Sequence, residues 1–293
     1  MSPMESAAAP GAALMRAVPA TRLGGVAIAA ADMAETVALM IEAARLPRGE
    51  RPLFLTSVNG EVLSRCARDP DFAQLVEAAD LINPDGQPMV VLSRWFGSRR
   101  LPERVATTDL FHHVARAAIP HGVSFYLYGA TEEENRRALA NVRKLYPDLR
   151  LLGGSHGFHR GAALEAKLAE IDALAPDILW LGLGVPREQR FVQEHGARLS
   201  RVGMIKTSGG LFNFLSGTRS RAPAWIQRVG FEWAWRLGQE PARLTIRYTL
   251  TNPHAVALLV GSGLRAQAVR VAARMQAGRG AGNSPRALAQ NGE

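Results

Sequence analysis

Several things are scarce in this chain, and each scarcity removes a class of protein. Cys66 is the only cysteine among 293 residues, so no disulfide can form within the chain. That suits a reducing compartment, and a lone thiol of this kind reads better as a small buried residue than as a nucleophile. No stretch approaches 18 consecutive apolar residues, so no membrane-spanning helix is expected. No Gly-x-Gly-x-x-Gly follows the first strand-like run and no Gly-Lys-Ser/Thr occurs, which argues against nicotinamide enzymes and ATPases. The missing Gly-x-Ser-x-Gly argues against a serine hydrolase. Acidic side chains are nearly absent from one end. From Arg198 onward 14 Lys/Arg face 3 Asp/Glu, a surplus of 11 in a chain of net charge +9, so the first 197 residues carry −2. A basic third seeks phosphate in nucleic acid, lipid head groups or a nucleotide diphosphate, or else is a solvated face.

What is present is an alternation of apolar runs with helical patterns. Residues 1–20 are alanine-rich, begin acidic and lack the layout of a secretion signal, so they read as a disordered leader. Residues 278–293, rich in Gly, Ser and Asn, read as a disordered tail. Strands are expected at Gly25–Ile28, Leu53–Thr56, Ala79–Ile82, Val123–Tyr128, Arg150–Gly153, Ile178–Leu183 and Val202–Thr207. Helices are expected from Asp32 and near 59–66, 71–78, 87–96 and 107–118. Thr131 with Glu134 forms a capping box that opens another, running to about Tyr146. This order predicts an α/β, Rossmann-like fold: a mostly parallel sheet covered by helices on both faces. The α/β domain is expected over 21–215 and a basic, helical appendage over 216–277, where Trp225, Trp233 and Trp235 lie among arginines and read as helix core or as interfacial anchors.

The most informative segment is Asn83-Pro84-Asp85-Gly86. It follows an apolar run and places a carboxylate at a strand's carboxyl end, where open α/β sheets keep their ligands. Pro-Asp-Gly also makes an ordinary β-turn. Other strand ends converge on the same crevice: Ser57 and Asn59, Gly129, Gly153-Gly154, and Gly184-Val185-Pro186-Arg187. Small residues there let a ligand approach backbone N–H groups. At Gly129 three glutamates already complement the following helix, so a sugar or base fits better than phosphate. Thr207 to Gly217, with Ser208-Gly209-Gly210 near its start and Asn213 within it, is a glycine-bracketed stretch that could wrap a ligand. Arg219, Arg221, Arg228, Arg236, Arg243 and Arg247 fall within 29 positions, and arginine forks grip a diphosphate without a metal. Asp69-Pro70-Asp71 spells a metal-binding triplet, but Asp69 as cap and Pro70 as first helical residue is the better reading. His112 and His113 are neighbours on a helix and face different ways, and His156 and His159 flank Gly157-Phe158 without a nearby acidic partner, so none of them reads as a metal site.

Nine segments in this order resemble the WecG/TagA/CpsF family of bacterial glycosyltransferases (glycosyltransferase family 26), from about Leu23 to Tyr248. They are Gly24-Gly25-Val26, Ser57-Val58-Asn59, Ala79 to Gly86, Leu101-Pro102-Glu103-Arg104-Val105, Tyr146-Pro147, Gly182 to Pro186, Ser208-Gly209-Gly210, Arg221-Ala222-Pro223 and Glu232 to Leu237. Glu240-Pro241-Ala242-Arg243 closes the match. The resemblance implies inverting, metal- and cofactor-independent transfer from a UDP-sugar donor to a polyprenyl-diphosphate-linked saccharide, in exopolysaccharide or surface-glycan assembly. Asp85 matches the family's general base, Asn59 its active-site asparagine and Arg104 the arginine of its Pro-Glu-Arg-Val segment; Ser57 stands where a threonine is usual. The substrate-binding set so expected is Ser57, Asn59, Asn83, Gly86, Arg104, Gly129, Gly184, Pro186, Glu188, Gln189, Ser208, Gly209 and Gly210. Arg221, Arg236, Arg243 and Arg247 are expected at the diphosphate. Three departures stand out. The family's Pro-Lys-Gln-Glu becomes Pro186-Arg187-Glu188-Gln189, which leaves open whether Glu188 or Gln189 meets substrate. Ala106-Thr107 replaces a common glycine, and Ile246-Arg247-Tyr248 has one arginine where two are usual.

The expected location is cytoplasmic, peripheral to an anionic membrane surface at the inner face of the cell membrane. Asn252–Met275 reads as an amphipathic surface helix or a packing helix, weakened by Gly261 and Gly263. A homo-oligomer is left open. The rival readings are a sugar-nucleotide hydrolase or epimerase and a nucleic-acid-binding module; for the latter no recognisable motif is present, so no nucleic acid is expected as partner.

Overall fold

The computed structural model describes residues 9–220, 222–223, 232–239, 249 and 251–264. Six parallel strands form the central sheet in the order β4-β3-β8-β7-β5-β6. They are β3 (Leu53–Val58), β4 (Leu81–Pro84), β5 (Phe125–Gly129), β6 (Leu151–Ser155), β7 (Ile178–Gly182) and β8 (Met204–Thr207). The period of two divides their side chains between two layers. Leu55, Leu81, Leu127, Trp180 and Met204 turn to one face, beneath α2 (Met33–Arg45), α6 (Thr107–Ala118), α7 (Glu132–Leu145) and α10 (Leu211–Leu215). Tyr126, Tyr128, Leu179, Leu181 and Ile205 turn to the other, with α8 (Gly161–Leu174) and α9 (Arg187–His195). Val58 and Ile82 share that side with α3 (Gly60–Cys66), α4 (Pro70–Glu77) and α5 (Gln87–Phe96). The Rossmann-like layering expected from the sequence is therefore present.

Two N-terminal details differ from the expectation. Pro10–Arg16 is a helix, α1, whose Met15 and Ala12 are buried in the main core; the disordered reading of 1–20 fails over that span because these side chains find an apolar surface. Val26–Ala29 (β2) does not join the main sheet. It pairs antiparallel with β1 (Ala20–Leu23), a strand that a sequence as polar as Ala-Thr-Arg-Leu does not announce.

Local chemistry explains where the elements start. Asp32 and Thr131 each close a full capping box, with Glu35 and Glu134 returning to the cap N–H. Asp69 Oδ1 accepts from Phe72 N at 3.0 Å with Pro70 at the first helical position, so this acid caps α4. Asp80 ties the edge strand to its neighbour. Its buried carboxylate accepts from Phe54 N at 2.8 Å and, in a fork, from Arg51 Nη1 and Nη2 at 2.8 and 2.9 Å.

Beyond the sheet, Glu232–Gln239 is helical (α11), with Trp235 exposed. The stretch 251–264 is helical too and packs on the α/β domain. Ala255 and Leu259 are buried, His254 Nδ1 meets Ser64 Oγ at 2.9 Å, and Gly24 N donates to Ser262 Oγ at 3.0 Å. A Cβ on Gly263 would sit 2.1 Å from Phe96 Cβ, so this glycine permits the contact and does not merely weaken a helix. Over these residues the packing role is realised, while Val256 and Leu264 stay exposed. Trp225 and the rest of 216–277 lie outside the described residues, apart from 216–220, 222–223, 249 and the two helical stretches. No described helix is long and apolar enough to cross a membrane.

Candidate active site

A cavity of about 440 Å³ opens over the carboxyl ends of β4, β3, β8 and β7, where α/β sheets place ligands. One side is built from side chains. Asp85 follows β4 directly, and its backbone is pinned by Asp85 N to Val58 O at 2.8 Å and Val105 N to Pro84 O at 2.8 Å. Its carboxylate lines the cavity, and Oδ2 accepts from Thr107 N, at the start of α6, at 3.4 Å. A helix N-terminus favours the ionised form of an acid placed there. Ser57 Oγ sits 3.1 Å from Thr107 Oγ1 and lines the same wall. Asn59 caps α3, with Oδ1 accepting from Glu61 N and Val62 N at 3.0 and 3.1 Å. The group it can offer a ligand is therefore its amide Nδ2.

The other side is mainly backbone. Gly184 and Gly209 adopt positive φ (76° and 53°), which favours glycine. Their N–H groups both donate to Glu188 Oε2, at 3.3 and 3.0 Å. Glu188 is fully buried and joins the two rim loops. Burial pushes its carboxyl up to about 7, against the opposing pull of the Gly209 N–H, the Lys206 ammonium and the Gly184 N–H. Arg219 is the one arginine among the described residues that lines the cavity. With its amide oriented to satisfy both neighbours, Asn213 donates to Glu134 Oε1 at 2.8 Å and accepts from Arg219 Nη1 at 3.1 Å. A second cavity of about 330 Å³ shares Ala130, Phe158, Gly182 and Leu183 with the first and is bordered by Arg160, Arg187 and Arg190.

Of the residues expected from sequence, Asp85, Ser57, Asn59, Gly184, Glu188, Ser208, Gly209 and Gly210 meet around this cavity. The remaining described ones lie off its wall. Asn83 is fully buried, its Nδ2 3.5 Å from Thr36 Oγ1. Gln189 is buried as well and turns its Nε2 to Thr56 Oγ1 at 3.5 Å, so Glu188 is the member of that pair facing the cavity. Gly129 answers to packing: a Cβ there would lie 2.3 Å from Gly182 O. Gly86 and Pro186 occupy the N-cap positions of α5 and α9, and Arg104 reaches to 3.9 Å from Asp109. Arg221, Arg243 and Arg247 lie outside the described residues, as does the side chain of Arg236.

Three residues were not foreseen. Thr107 and Thr108 line the wall at the start of α6, whereas Asn213, which faces Arg219, belongs to the glycine-bracketed stretch. The third, Lys206, lies under the floor. It is completely buried in β8, with Nζ 2.7 Å from Ser57 Oγ and 3.2 Å from Thr207 O. Cys66 is buried and its thiol is pushed up to about 11, chiefly by that burial, which leaves it unreactive.

Comparison with known proteins agrees with this architecture. Residues 21–269 match the model of the glycosyl transferase WecG/TagA/CpsF family. The chain is similar to an N-acetylglucosaminyldiphosphoundecaprenol N-acetyl-beta-D-mannosaminyltransferase of Bacillus subtilis, 29% identical over 189 residues, covering 64% of this chain and 72% of that protein. Proteins of the same name from Bacillus spizizenii (28%, 65% and 72% covered) and Staphylococcus aureus (24%, 63% and 71% covered) are similar as well. With a parallel sheet, an acid at its rim and a family match over most of its length, the chain belongs to the WecG/TagA/CpsF family of glycosyl transferases.

Proposed function

We propose that this protein transfers a sugar from a UDP-sugar to a saccharide carried on a polyprenyl diphosphate, with inversion and without a metal, for exopolysaccharide or surface-polysaccharide assembly. The observation that carries the reading is the Asp85 carboxylate at the cavity wall, held by the N-terminus of α6. In this mechanism the carboxylate takes the proton of an acceptor hydroxyl as that oxygen attacks the anomeric carbon. The bond to the UDP oxygen breaks on the opposite face. Charge builds on the departing diphosphate, where Arg219 and the basic appendage, Arg221, Arg236, Arg243 and Arg247 among them, supply guanidinium forks. The names of the relatives support a lipid-diphosphate acceptor. Access to such an acceptor places the enzyme at the cytoplasmic surface of the membrane, and the basic C-terminal third provides the attraction to anionic lipid.

The test is to incubate the protein with a panel of UDP-sugars, with and without a short polyprenyl-diphosphate saccharide. UDP release only with acceptor, undiminished by chelator, is expected, and the product carries the opposite anomeric configuration. UDP release at equal rate without acceptor would make the protein a hydrolase.

A further inference from the structure

We propose that Lys206 is a positioning residue for this reaction: a buried counter-charge beneath the cavity that keeps Asp85 and Glu188 ionised together and orients the Ser57 hydroxyl toward Thr107. The inference rests on the transferase reading above.

A lysine buried inside a sheet is costly unless its ammonium is answered. Lys206 is fully buried, in register with Leu55 on β3 and Trp180 on β7. Parallel register puts the three side chains on one face of the sheet. Its ammonium donates to Ser57 Oγ at 2.7 Å and to Thr207 O at 3.2 Å. Ser57 Oγ accepts from the lysine, which turns its own proton away from Nζ, and it pairs with Thr107 Oγ1, 3.1 Å away, where either hydroxyl can donate. The same Thr107 gives its backbone N–H to Asp85 Oδ2. A continuous chain of contacts therefore runs from the buried cation to the acid on the wall.

The charges that reach Lys206 are Asp85, beyond β4, and Glu188, on α9. Strands β3 and β7 bring no titratable side chain, and neither does α10. On α6, Asp109 lies 3.9 Å from Arg104 and His112 Nδ1 is 2.7 Å from Tyr146 Oη; on α2, Glu35 is bound to the Asp32 N–H. Burial pushes the Lys206 ammonium down to about 8 while the two carboxylates oppose that shift. One cation thus answers two acids on opposite walls of the cavity. Without it, the burial that disfavours an ionised Glu188 is opposed by backbone N–H groups alone, and Asp85 loses a positive charge that favours its base form.

The experiment follows the Asp85 carboxyl by carbon-13 NMR in the full chain and in the variants Lys206→Met and Lys206→Arg. Removing the charge is expected to raise the Asp85 titration by about one unit, a tenfold fall in the ratio of ionised to protonated acid. Arginine, which keeps the charge, is expected to hold it within a few tenths. In transfer assays the acid limb of kcat moves up in Lys206→Met by the same amount; a merely structural role moves neither titration nor limb. If Lys206→Met does not fold, Glu188→Gln serves instead: losing one of its two acids lowers the Lys206 titration further below 8. An Asp85 titration unmoved in Lys206→Met, or a Lys206 titration unmoved in Glu188→Gln, overturns the proposal. Absence of acceptor-dependent transfer would overturn the transferase reading while leaving these titrations as expected, so the two failures are distinguishable.

Discussion

The two walls of the cavity are made differently. The wall over β3 and β4 presents Ser57, Asn59, Asp85 and Thr107, and local hydrogen bonds fix each of them: a helix cap, a hydroxyl pair, a helix N-terminus. The wall over β7 and β8 presents glycine backbone, and its shape depends on one buried carboxylate, Glu188, collecting N–H groups from two loops. Side chains suited to acid–base work stand on the first wall. The second offers close approach and donors, which suit a sugar or nucleotide held against backbone. Chemistry and grip are thus divided between separate walls, and substitutions on each side should fail in different ways.

The largest effect is expected from Asp85→Asn. Loss of a general base costs about 10²–10⁴-fold. The loss should fall on kcat with the donor KM nearly kept, because the amide retains the size of the acid and the opposite wall is untouched. Steady-state kinetics with donor and acceptor varied separately checks this. A large rise in donor KM with kcat preserved would move Asp85 from chemistry to grip and erase the division.

Glu188→Gln comes next and should show the reverse split. Hydrogen bonds to a charged group are worth about 1.5–3 kcal/mol each when net stability is counted, so a donor KM raised by about tenfold or more is expected as the rim loops loosen. Stability gives an independent reading. A carboxyl raised from 4.5 to about 7 in the folded state binds a proton that the unfolded chain has already released. Its contribution is therefore present below about 4.5 and is lost as pH rises through about 7. Glu188→Gln should remove that slope from denaturant midpoints measured across this range. A slope identical to that of the parent chain would mean that another group carries it.

How much of this was legible in the sequence follows the same division. The acid wall was readable because its residues sit at strand ends within local patterns, Ser57-Val58-Asn59 and Asn83 to Gly86. In the second of these, Asn83 lies within β4 and is buried, while Asp85 follows the strand's last residue and lines the cavity, a distinction no pattern of residue types makes. On the glycine wall, exchange of acid and amide at Glu188-Gln189 left two candidates; helix geometry resolves them by turning only Glu188 to the loops. Gly129 looked like a ligand contact and is a packing requirement against Gly182, which depends on β5 and β7 lying side by side. Lys206 escaped because one lysine near the end of an apolar strand reads as a solvated end. Its apolar neighbours Met204 and Ile205 were the available signal, but the acids that answer it lie far away in sequence.

Gly182→Ala tests the junction between the walls. The new methyl would meet the Phe212 ring at 2.3 Å in a packed interior. Overpacking of this kind costs about 1–3 kcal/mol, and ring displacement would carry the neighbouring Asn213, which faces Arg219. Lower thermal stability together with a raised donor KM is expected. Lost stability with unchanged KM would show that the Phe212 ring and the cavity are mechanically separate.

The smallest effect is expected at Asn59, and it bears on whether side chains of the acid wall serve fold and ligand at once. Asn59→Ala removes the α3 cap and should cost about 1 kcal/mol. Asn59→Ser and Asn59→Asp both keep an oxygen that can accept from Glu61 N and Val62 N, so stability should return toward the parent value in each. Neither restores the amide N–H that the cap leaves for the cavity. If Asn59 also binds substrate, all three variants lose activity to a similar degree while only the alanine variant loses stability. Activity that follows stability across the series would instead make Asn59 a cap alone, leaving Ser57, Asp85 and Thr107 as the working side of the wall.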